Sequence, residues 1–210
     1  MLVTRRNLVI GAAAVASVSA AKSQTLVPTT GQEMGPFYPM IRPPDHDADL
    51  THVKGRSGSA MGQPINVIGR IVDPRGNAVR DAQVELWQCN AAGRYDHPGD
   101  RANPAALDPN FQGFAKLVTD RDGQFKFRSV KPKDYGTPIG RRTPHIHFDI
   151  ASNADRLVTQ MYFPGEPLNE VDFLLRNADN KQSLIAEAID RLSSDPQALA
   201  FRWTVVLGTT

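Results

Sequence analysis

Apolar and polar residues alternate over short stretches through most of the chain beyond residue 64, which is the pattern of half-buried β-strands. Gly, Pro, Asn and Asp residues separate these stretches and mark turns. The turn sequence Asp120-Arg121-Asp122-Gly123 predicts that residues 114–119 and 124–130 form a β-hairpin. The other predicted strands cover residues 65–72, 82–89, 145–151, 157–163 and 201–207.

One segment has helical rather than alternating periodicity. Apolar residues recur there at intervals of three and four, so the sequence predicts one helix over residues 181–192, followed by the stop signal Asp195-Pro196. Many short strands with Gly- and Pro-rich turns and a single helix in the C-terminal region are typical of a β-sandwich. We therefore expect a mainly β fold whose sandwich domain covers residues 65–210, with long irregular connections between the strands.

The N-terminal 64 residues do not follow the strand pattern. Arg5 and Arg6 directly precede a short apolar, Ala-rich run, which predicts a twin-arginine signal peptide over residues 1–21 and export to the periplasm or the exterior. A soluble N-terminal helix is the alternative. Residues 22–64 are rich in Pro, Gly and Asp and predict an extended arm, in which His46 and His52 are expected to be solvent-exposed.

Composition excludes several classes of function. The 210 residues carry a formal charge of +2 with no block of like charges, so a nucleic-acid-binding surface is not expected. The apolar run near the N-terminus is shorter than the ~20 residues that a membrane-spanning helix needs. Cys89 is the only cysteine, which rules out an internal disulfide framework.

Two histidines on one predicted strand are the first candidates for chemistry. His145 and His147 are two residues apart, so they point to the same face and could form half of a metal site. Tyr95 and Tyr135 each follow a predicted strand in a loop, and two phenolates with two imidazoles would suit a ferric ion. The alternative is that the histidines lie at the surface or in the core and that the tyrosines only pack or form hydrogen bonds.

Several longer motifs occur in a characteristic order, and they make the chain recognisable. With them it resembles the intradiol ring-cleavage dioxygenases, and within that family the iron-binding beta subunits of the protocatechuate 3,4-dioxygenases. The resemblance covers nearly all of the chain beyond the signal peptide. It rests on Gly35-Pro36-Phe37-Tyr38-Pro39, Val84-Glu85-Leu86-Trp87-Gln88-Cys89-Asn90-Ala91-Ala92-Gly93-Arg94-Tyr95, Leu107-Asp108-Pro109-Asn110-Phe111-Gln112-Gly113, Thr143-Pro144-His145-Ile146-His147-Phe148 and Leu157-Val158-Thr159-Gln160-Met161-Tyr162-Phe163.

The resemblance implies a set of residue roles. It implies that a non-haem Fe(III) is the cofactor and that Arg142 stabilises negative charge developing on the substrate. It implies that Gln160 contacts and orients that substrate, and that Tyr135 is the axial ligand that gives way to it. The implied iron ligands are Tyr95, Tyr135, His145 and His147.

The implied reaction is cleavage of a catechol, of the protocatechuate type, between its two hydroxyl-bearing carbons. O₂ is the co-substrate and a cis,cis-muconate-type dicarboxylate is the product. The implied partners are a second copy of the chain or an iron-free sister subunit. Without the resemblance, Arg142 could equally be a surface guanidinium and Gln160 a half-buried strand residue.

Two other classes of function fit parts of the sequence. An exported β-sandwich that binds a sugar or a protein without metal chemistry would explain the strands and turns. A different metalloenzyme could use His145 and His147 with Asp149, which has the same strand parity.

Overall fold

The structure is a computed structural model that describes residues 25–138 and 140–208, so the predicted signal peptide over residues 1–21 lies outside the described residues. Two four-stranded β-sheets face each other, which confirms the predicted mainly β sandwich. The first sheet has its strands in the order fourth, first, tenth, ninth along the chain. Its strands are β1 (Pro64–Val72), β4 (Gln124–Val130), β9 (Glu187–Ile189) and β10 (Leu199–Val206).

The second sheet contains His145 and His147. Its strands are β2 (Gln83–Trp87), β3 (Phe114–Val118), β7 (His145–Ala151) and β8 (Arg156–Tyr162). They run antiparallel in the order β3-β2-β7-β8, whereas β1 and β10 of the first sheet are parallel. A separate antiparallel ribbon consists of β5 (Tyr135–Thr137) and β6 (Gly140–Arg142).

The core lies between the two sheets because successive side chains of each strand point to opposite faces. On β7, Ile146, Phe148 and Ile150 are fully buried in this core, together with Val84 and Leu86 of β2. His145 and His147 therefore lie on the other face of the second sheet. That face is buried too, because the irregular N-terminal segment covers it.

The predicted hairpin between residues 114–119 and 124–130 is wrong. The turn itself forms, since the Asp120 carboxylate accepts hydrogen bonds from the backbone N–H of Asp122 and Gln124 at 2.9 and 2.8 Å. However, β3 pairs with β2 in the second sheet, whereas β4 pairs with β1 in the first. The turn thus crosses from one sheet to the other, because a turn sequence determines a local chain reversal and not the partner of each strand.

The predicted helix over residues 181–192 is also wrong. A 3-10 turn covers Lys181–Leu184, and the chain then extends into β9, which pairs with the edge of β10. Pairing satisfies backbone groups that β10 would otherwise leave unpaired at the sheet edge. The one α-helix of the described residues is the short α1 (Phe173–Arg176), and no helix in that part of the chain is long and apolar enough to cross a membrane.

The described part of the predicted arm, residues 25–63, contains no strand and crosses the outer face of the second sheet. Gln32 donates its backbone N–H to Val158 on β8 at 2.8 Å, and the Tyr38 hydroxyl donates to Glu85 on β2 at 2.6 Å. His46 and His52 are exposed, as predicted. The division of the chain at residue 64 stays a prediction.

Candidate metal centre

Strand pairing brings further polar and aromatic residues to the histidine face. The register places Trp87 of β2 opposite His147, and on the other side places Gln160 opposite His147 and Tyr162 opposite His145. All of these side chains are at most 1% exposed. The outer face of the second sheet is therefore a buried polar layer beneath the N-terminal segment.

The structure brings Tyr95, Tyr135, His145 and His147 together. The two Nε2 atoms of the histidines are 3.2 Å apart, and the Tyr135 hydroxyl lies 3.4 Å from Nε2 of His145. The Tyr95 hydroxyl is 3.5 Å from the Tyr135 hydroxyl. Four polar atoms from three separate segments thus converge on one buried point.

The two tyrosines reach this point from different elements. Tyr95 lies in the loop after β2, where its backbone N–H donates to the Asp100 carboxylate at 2.8 Å. Tyr135 begins β5, so its predicted placement in a loop is wrong. Gly93 makes the approach possible: its φ is +84°, and a Cβ there would lie 3.0 Å from the carbonyl oxygen of Asp134. Any side chain at this position would push the two segments apart.

The protonation states of the two histidines suit metal binding. Nδ1 of His145 lies 2.6 Å from the carbonyl oxygen of Thr143, so it carries the proton and leaves the Nε2 lone pair facing the cluster. Burial lowers the pKa of both histidines well below the usual value, so both imidazoles are neutral at pH 7. Neutral imidazole is the form that binds metal.

The pKa values of the two phenols are shifted upward, in the opposite direction to those of the histidines. Burial raises the pKa of Tyr95 well above its usual value and raises the pKa of Tyr135 to about 12. At 3.4 and 3.5 Å, the contacts of the Tyr135 hydroxyl are longer than the roughly 2.7–2.8 Å of a good O–H···O hydrogen bond. The four donors fit a highly charged cation, which would both fill the space between them and favour loss of the phenol protons.

Arg142 lies directly across the ribbon from Tyr135, as its register partner. Its guanidinium donates from Nε to Asp172 at 2.8 Å, and from Nη2 to Gln160 at 2.6 Å and Tyr162 at 3.1 Å. Burial opposes the charge, but Tyr162 and Asp172 outweigh it and raise the pKa of Arg142. Arg142 is 7% exposed and Gln160 is fully buried, so the alternatives of a surface guanidinium and a half-buried glutamine are wrong.

A cavity of about 840 Å³ opens beside the cluster. This volume is within the range of small-molecule sites, roughly 300–1,000 Å³. Its wall is formed by candidate site residues, by the N-terminal segment and by α1. Among the lining residues are Phe37, Tyr135, Arg142, His147, Gln160 and Leu174.

Four residues of this centre were not found by sequence reasoning. Trp87 stacks on His147, Phe37 stacks on Tyr95 with ring centroids 4.5 Å apart, and Asp172 pairs with Arg142. The contacts of these three depend on residues distant in sequence, so no local pattern reveals them. Tyr162 could have been found, because it has the same strand parity as Gln160 on a predicted strand.

The alternative site of His145, His147 and Asp149 is not formed. The Asp149 carboxylate accepts hydrogen bonds from Arg156 at 2.9 and 2.8 Å, which occupies both of its oxygens. Within residues 25–138 and 140–208, no group of three or more His, Cys, Asp and Glu side chains could hold a metal ion. The oxygen donors that the structure does bring to the two histidines are the phenols of Tyr95 and Tyr135.

Fold and site together define a β-sandwich with a buried tyrosine–histidine cluster beside a cavity. Residues 34–209 match the dioxygenase family. The chain is 38% identical over 174 residues to the protocatechuate 3,4-dioxygenase beta chain of Burkholderia cepacia, covering 80% of this chain and 73% of that one. It therefore belongs to the intradiol ring-cleavage dioxygenase family.

Two further comparisons extend this result. Catechol 1,2-dioxygenase of Acinetobacter baylyi is 28% identical over 153 residues, which cover 66% of this chain and 46% of the relative, so the chain spans about half the length of that enzyme. The dioxygenase domain of a dioxygenase–carbohydrate-binding fusion protein from Streptomyces sp. SirexAA-E aligns with a TM-score of 0.64 at 25% identity. That alignment covers 88% of this chain and all of that domain. Family membership supports a ring-cleaving dioxygenase over the alternative of a binding module.

Proposed function

We propose that the chain is an Fe(III)-dependent dioxygenase that cleaves a catechol-type diol between its hydroxyl-bearing carbons, with a cis,cis-muconate-type dicarboxylate as product. The observation that carries this proposal is the convergence of two phenols and two neutral imidazoles at one buried point. Tyr95, Tyr135, His145 and His147 would hold the ion. Fe(III), when bound, would supply the Lewis acidity that favours the catecholate form and its reaction with O₂.

The surrounding residues have distinct tasks in this proposal. Tyr135 lines the cavity, and its phenolate oxygen would accept a proton from a catechol hydroxyl, which is general-base catalysis. Arg142 would stabilise negative charge on the ring from a site that is almost fully buried, where such a charge is most effective. Phe37 and Leu174 form an apolar part of the cavity wall, which would limit the access of water to the reacting ring. Gln160 lines the same cavity and would orient the substrate through Arg142.

For the substrate we propose a protocatechuate-like catechol with an anionic substituent. Support comes from the Burkholderia cepacia relative and from Lys133, an exposed cation that lines the cavity. Arg141 also lines the cavity but is paired with Asp134, so it is less available to a ligand. A Lys133→Met variant is expected to raise KM for protocatechuate and leave KM for unsubstituted catechol unchanged.

The experiment that tests the proposed function loads the purified protein with iron and supplies O₂ with protocatechuate, catechol or hydroxyquinol. We expect oxygen uptake and a product opened between the two hydroxyl-bearing carbons for at least one diol. A His147→Ala variant is the matched negative control. The proposal is contradicted if the iron-loaded protein consumes no O₂ with any of the three diols, or if the ring opens outside the hydroxyl pair.

Two features of the wider protein also enter as proposals. Met40 and Ile41 are 76% and 87% exposed beside the site, which supports assembly with a second copy or an iron-free sister subunit. Export by the twin-arginine route is supported by Arg5 and Arg6. Cell fractionation of the full chain against an Arg5→Lys/Arg6→Lys variant tests export, with retention of the variant in the cytoplasm as the expected result.

A further inference from the structure

Asp172 has a carboxylate whose two oxygens serve different parts of the structure. Oδ1 accepts the backbone N–H groups of Leu174 and Leu175, both at 3.0 Å, and so caps the start of α1. Oδ2 accepts Nε of Arg142 at 2.8 Å and the backbone N–H of Thr143 at 2.9 Å. The side chain is fully buried, so these four bonds replace all of its contact with water.

The guanidinium of Arg142 is consequently held along one edge. Nε and Nη2 form that edge, with Asp172 on Nε and with Gln160 and Tyr162 on Nη2. Nη1 has no hydrogen-bond partner among the described residues, and Arg142 lines the cavity. Since the guanidinium is planar and rigid, fixing one edge determines where the remaining nitrogen lies.

The helix cap alone does not explain this carboxylate. A serine hydroxyl caps a helix about as well as an aspartate does, and only Oδ1 is used for the cap. The negative charge and the second oxygen are directed at β6 and its arginine. Oδ2 also satisfies the buried N–H of Thr143, which a neutral oxygen could do as well. Because a buried ion pair is not in general a gain in stability over apolar packing, we assign to the charge of Asp172 the orientation of Arg142.

We propose that Asp172 is a positioning residue that holds the Arg142 guanidinium with Nη1 available to a bound catecholate. This inference rests on the proposed function, because that function gives Arg142 its task. Asp172 touches neither the substrate nor the candidate metal ligands; it acts through Arg142. It also links Arg142 to α1, which supplies Leu174 to the cavity wall.

The test is a double-mutant cycle on the iron-loaded full chain with Asp172→Asn and Arg142→Met. We expect D172N to lower kcat and kcat/KM together by about 10- to 100-fold, as for a group displaced by about 1 Å. In the R142M background, D172N is expected to cause no further loss. Iron content and the visible absorption band are expected to be the same as in the unaltered protein, since the ligands are not disturbed.

Asp195→Asn is the matched control. Its carboxylate accepts Nε of Arg128 at 2.7 Å in a similar ion pair on the first sheet, away from the cavity. We expect this variant to retain kcat/KM within about twofold, because its arginine has no part in the reaction. If D172N does not fold, Asp172→Ser keeps an oxygen for the helix cap and removes Oδ2, which ends both the pair with Arg142 and the bond from the Thr143 N–H.

Failure of this inference and failure of the proposed function give different results. Unchanged kinetics in D172N, or equal losses from D172N with and without Arg142, would overturn the inference while the proposed function stands. A shifted absorption band in D172N would also overturn it, because the residue would then act on the iron ligands. An unaltered protein that binds iron but cleaves no diol removes the proposed function, and this inference with it.

Discussion

The indole of Trp87 lies flat on the imidazole of His147, with ring centroids 5.0 Å apart and planes inclined by 8°. Gly35 of the N-terminal segment also packs on this imidazole, and a Cβ at Gly35 would lie 3.1 Å from its Cε1 atom. Nδ1 of His147 is buried with no hydrogen-bond partner among the described residues. Packing, rather than a hydrogen bond at Nδ1, therefore orients this candidate ligand.

A Gly35→Ala variant tests whether this packing orients His147. The added methyl would press on the His147 ring, and Gly35 has a φ of +73°, which an L side chain rarely adopts. We expect the variant to bind iron less tightly and to show a shifted absorption band. Iron analysis after dialysis and a visible spectrum measure both effects.

Gly165→Ala is the control for this prediction. Gly165 also has a φ of +73°, but a Cβ there would meet nothing within 4 Å. It therefore carries the same backbone strain without the contact. Equal effects of the two substitutions on iron binding would show that the contact with His147 is unimportant.

Tyr135→Phe separates iron binding from proton transfer. The variant keeps the ring and the packing of Tyr135 but loses the oxygen that faces His145 at 3.4 Å. We expect iron to remain bound by the other three residues and turnover of catechols to fall by about 10²- to 10⁴-fold, the usual contribution of a general base. Tyr38→Phe, which removes a phenol bonded to Glu85 instead, is the control. Normal turnover in Y135F would mean that another group accepts the proton.

The metal-free protein should lose stability in mild acid. Burial holds the pKa of His145 and His147 well below 6.5, so below about pH 6.5 the unfolded chain binds protons that the folded chain does not. The free energy of unfolding is then expected to fall by about 1.4 kcal/mol per pH unit for each histidine as pH decreases, and to be insensitive to them above that range. Urea unfolding from pH 7.5 to 5 measures the slope.

Two variants test whether His145 and His147 cause this pH dependence of the free energy of unfolding. Replacing both buried histidines by Gln is expected to reduce it, whereas His46→Gln at an exposed position is expected to leave it as it was. If the free energy of unfolding still depends on pH to the same extent without His145 and His147, other groups cause the dependence.

Glu85 anchors the N-terminal segment to the second sheet. Its buried carboxylate accepts the Tyr38 hydroxyl at 2.6 Å and Nη2 of Arg42 at 3.1 Å. Glu85→Gln is expected to cost about 1–3 kcal/mol of unfolding free energy, since charged hydrogen bonds in a buried site are lost, and to make residues 25–63 more sensitive to protease. Glu187→Gln removes an exposed pair with Arg202 and is expected to change little; a comparable loss in both variants would contradict an anchoring role.

Local patterns predicted the parts of this molecule that depend on neighbouring residues. The parity of His145 and His147 placed both on one face of a strand, and that strand has the predicted bounds. By contrast, the apolar spacing around Leu184 predicted a helix where an edge strand forms, because the unpaired edge of β10 is invisible in the local sequence.

In the candidate metal centre, too, contacts between residues distant in sequence could not be predicted from local patterns. Tyr95 and Tyr135 were candidates from their positions after predicted strands, but no local pattern predicts that they meet, because forty residues separate them and Gly93 has to bring their segments together. Trp87 reaches His147 through the pairing of β2 with β7, and Asp172 reaches Arg142 across thirty residues. Contacts of this range depend on tertiary structure and leave no periodic trace.

A visible absorption spectrum of the iron-loaded protein, before and after anaerobic addition of a catechol, tests the central claim most directly. Charge transfer from tyrosinate to Fe(III) is expected to colour the protein red-brown, and the catechol is expected to shift the band to longer wavelength. A protein that stays colourless after iron loading would contradict the assignment of Tyr95 and Tyr135 as ligands. A coloured protein whose spectrum ignores the catechol would contradict the assignment of the cavity as its binding site.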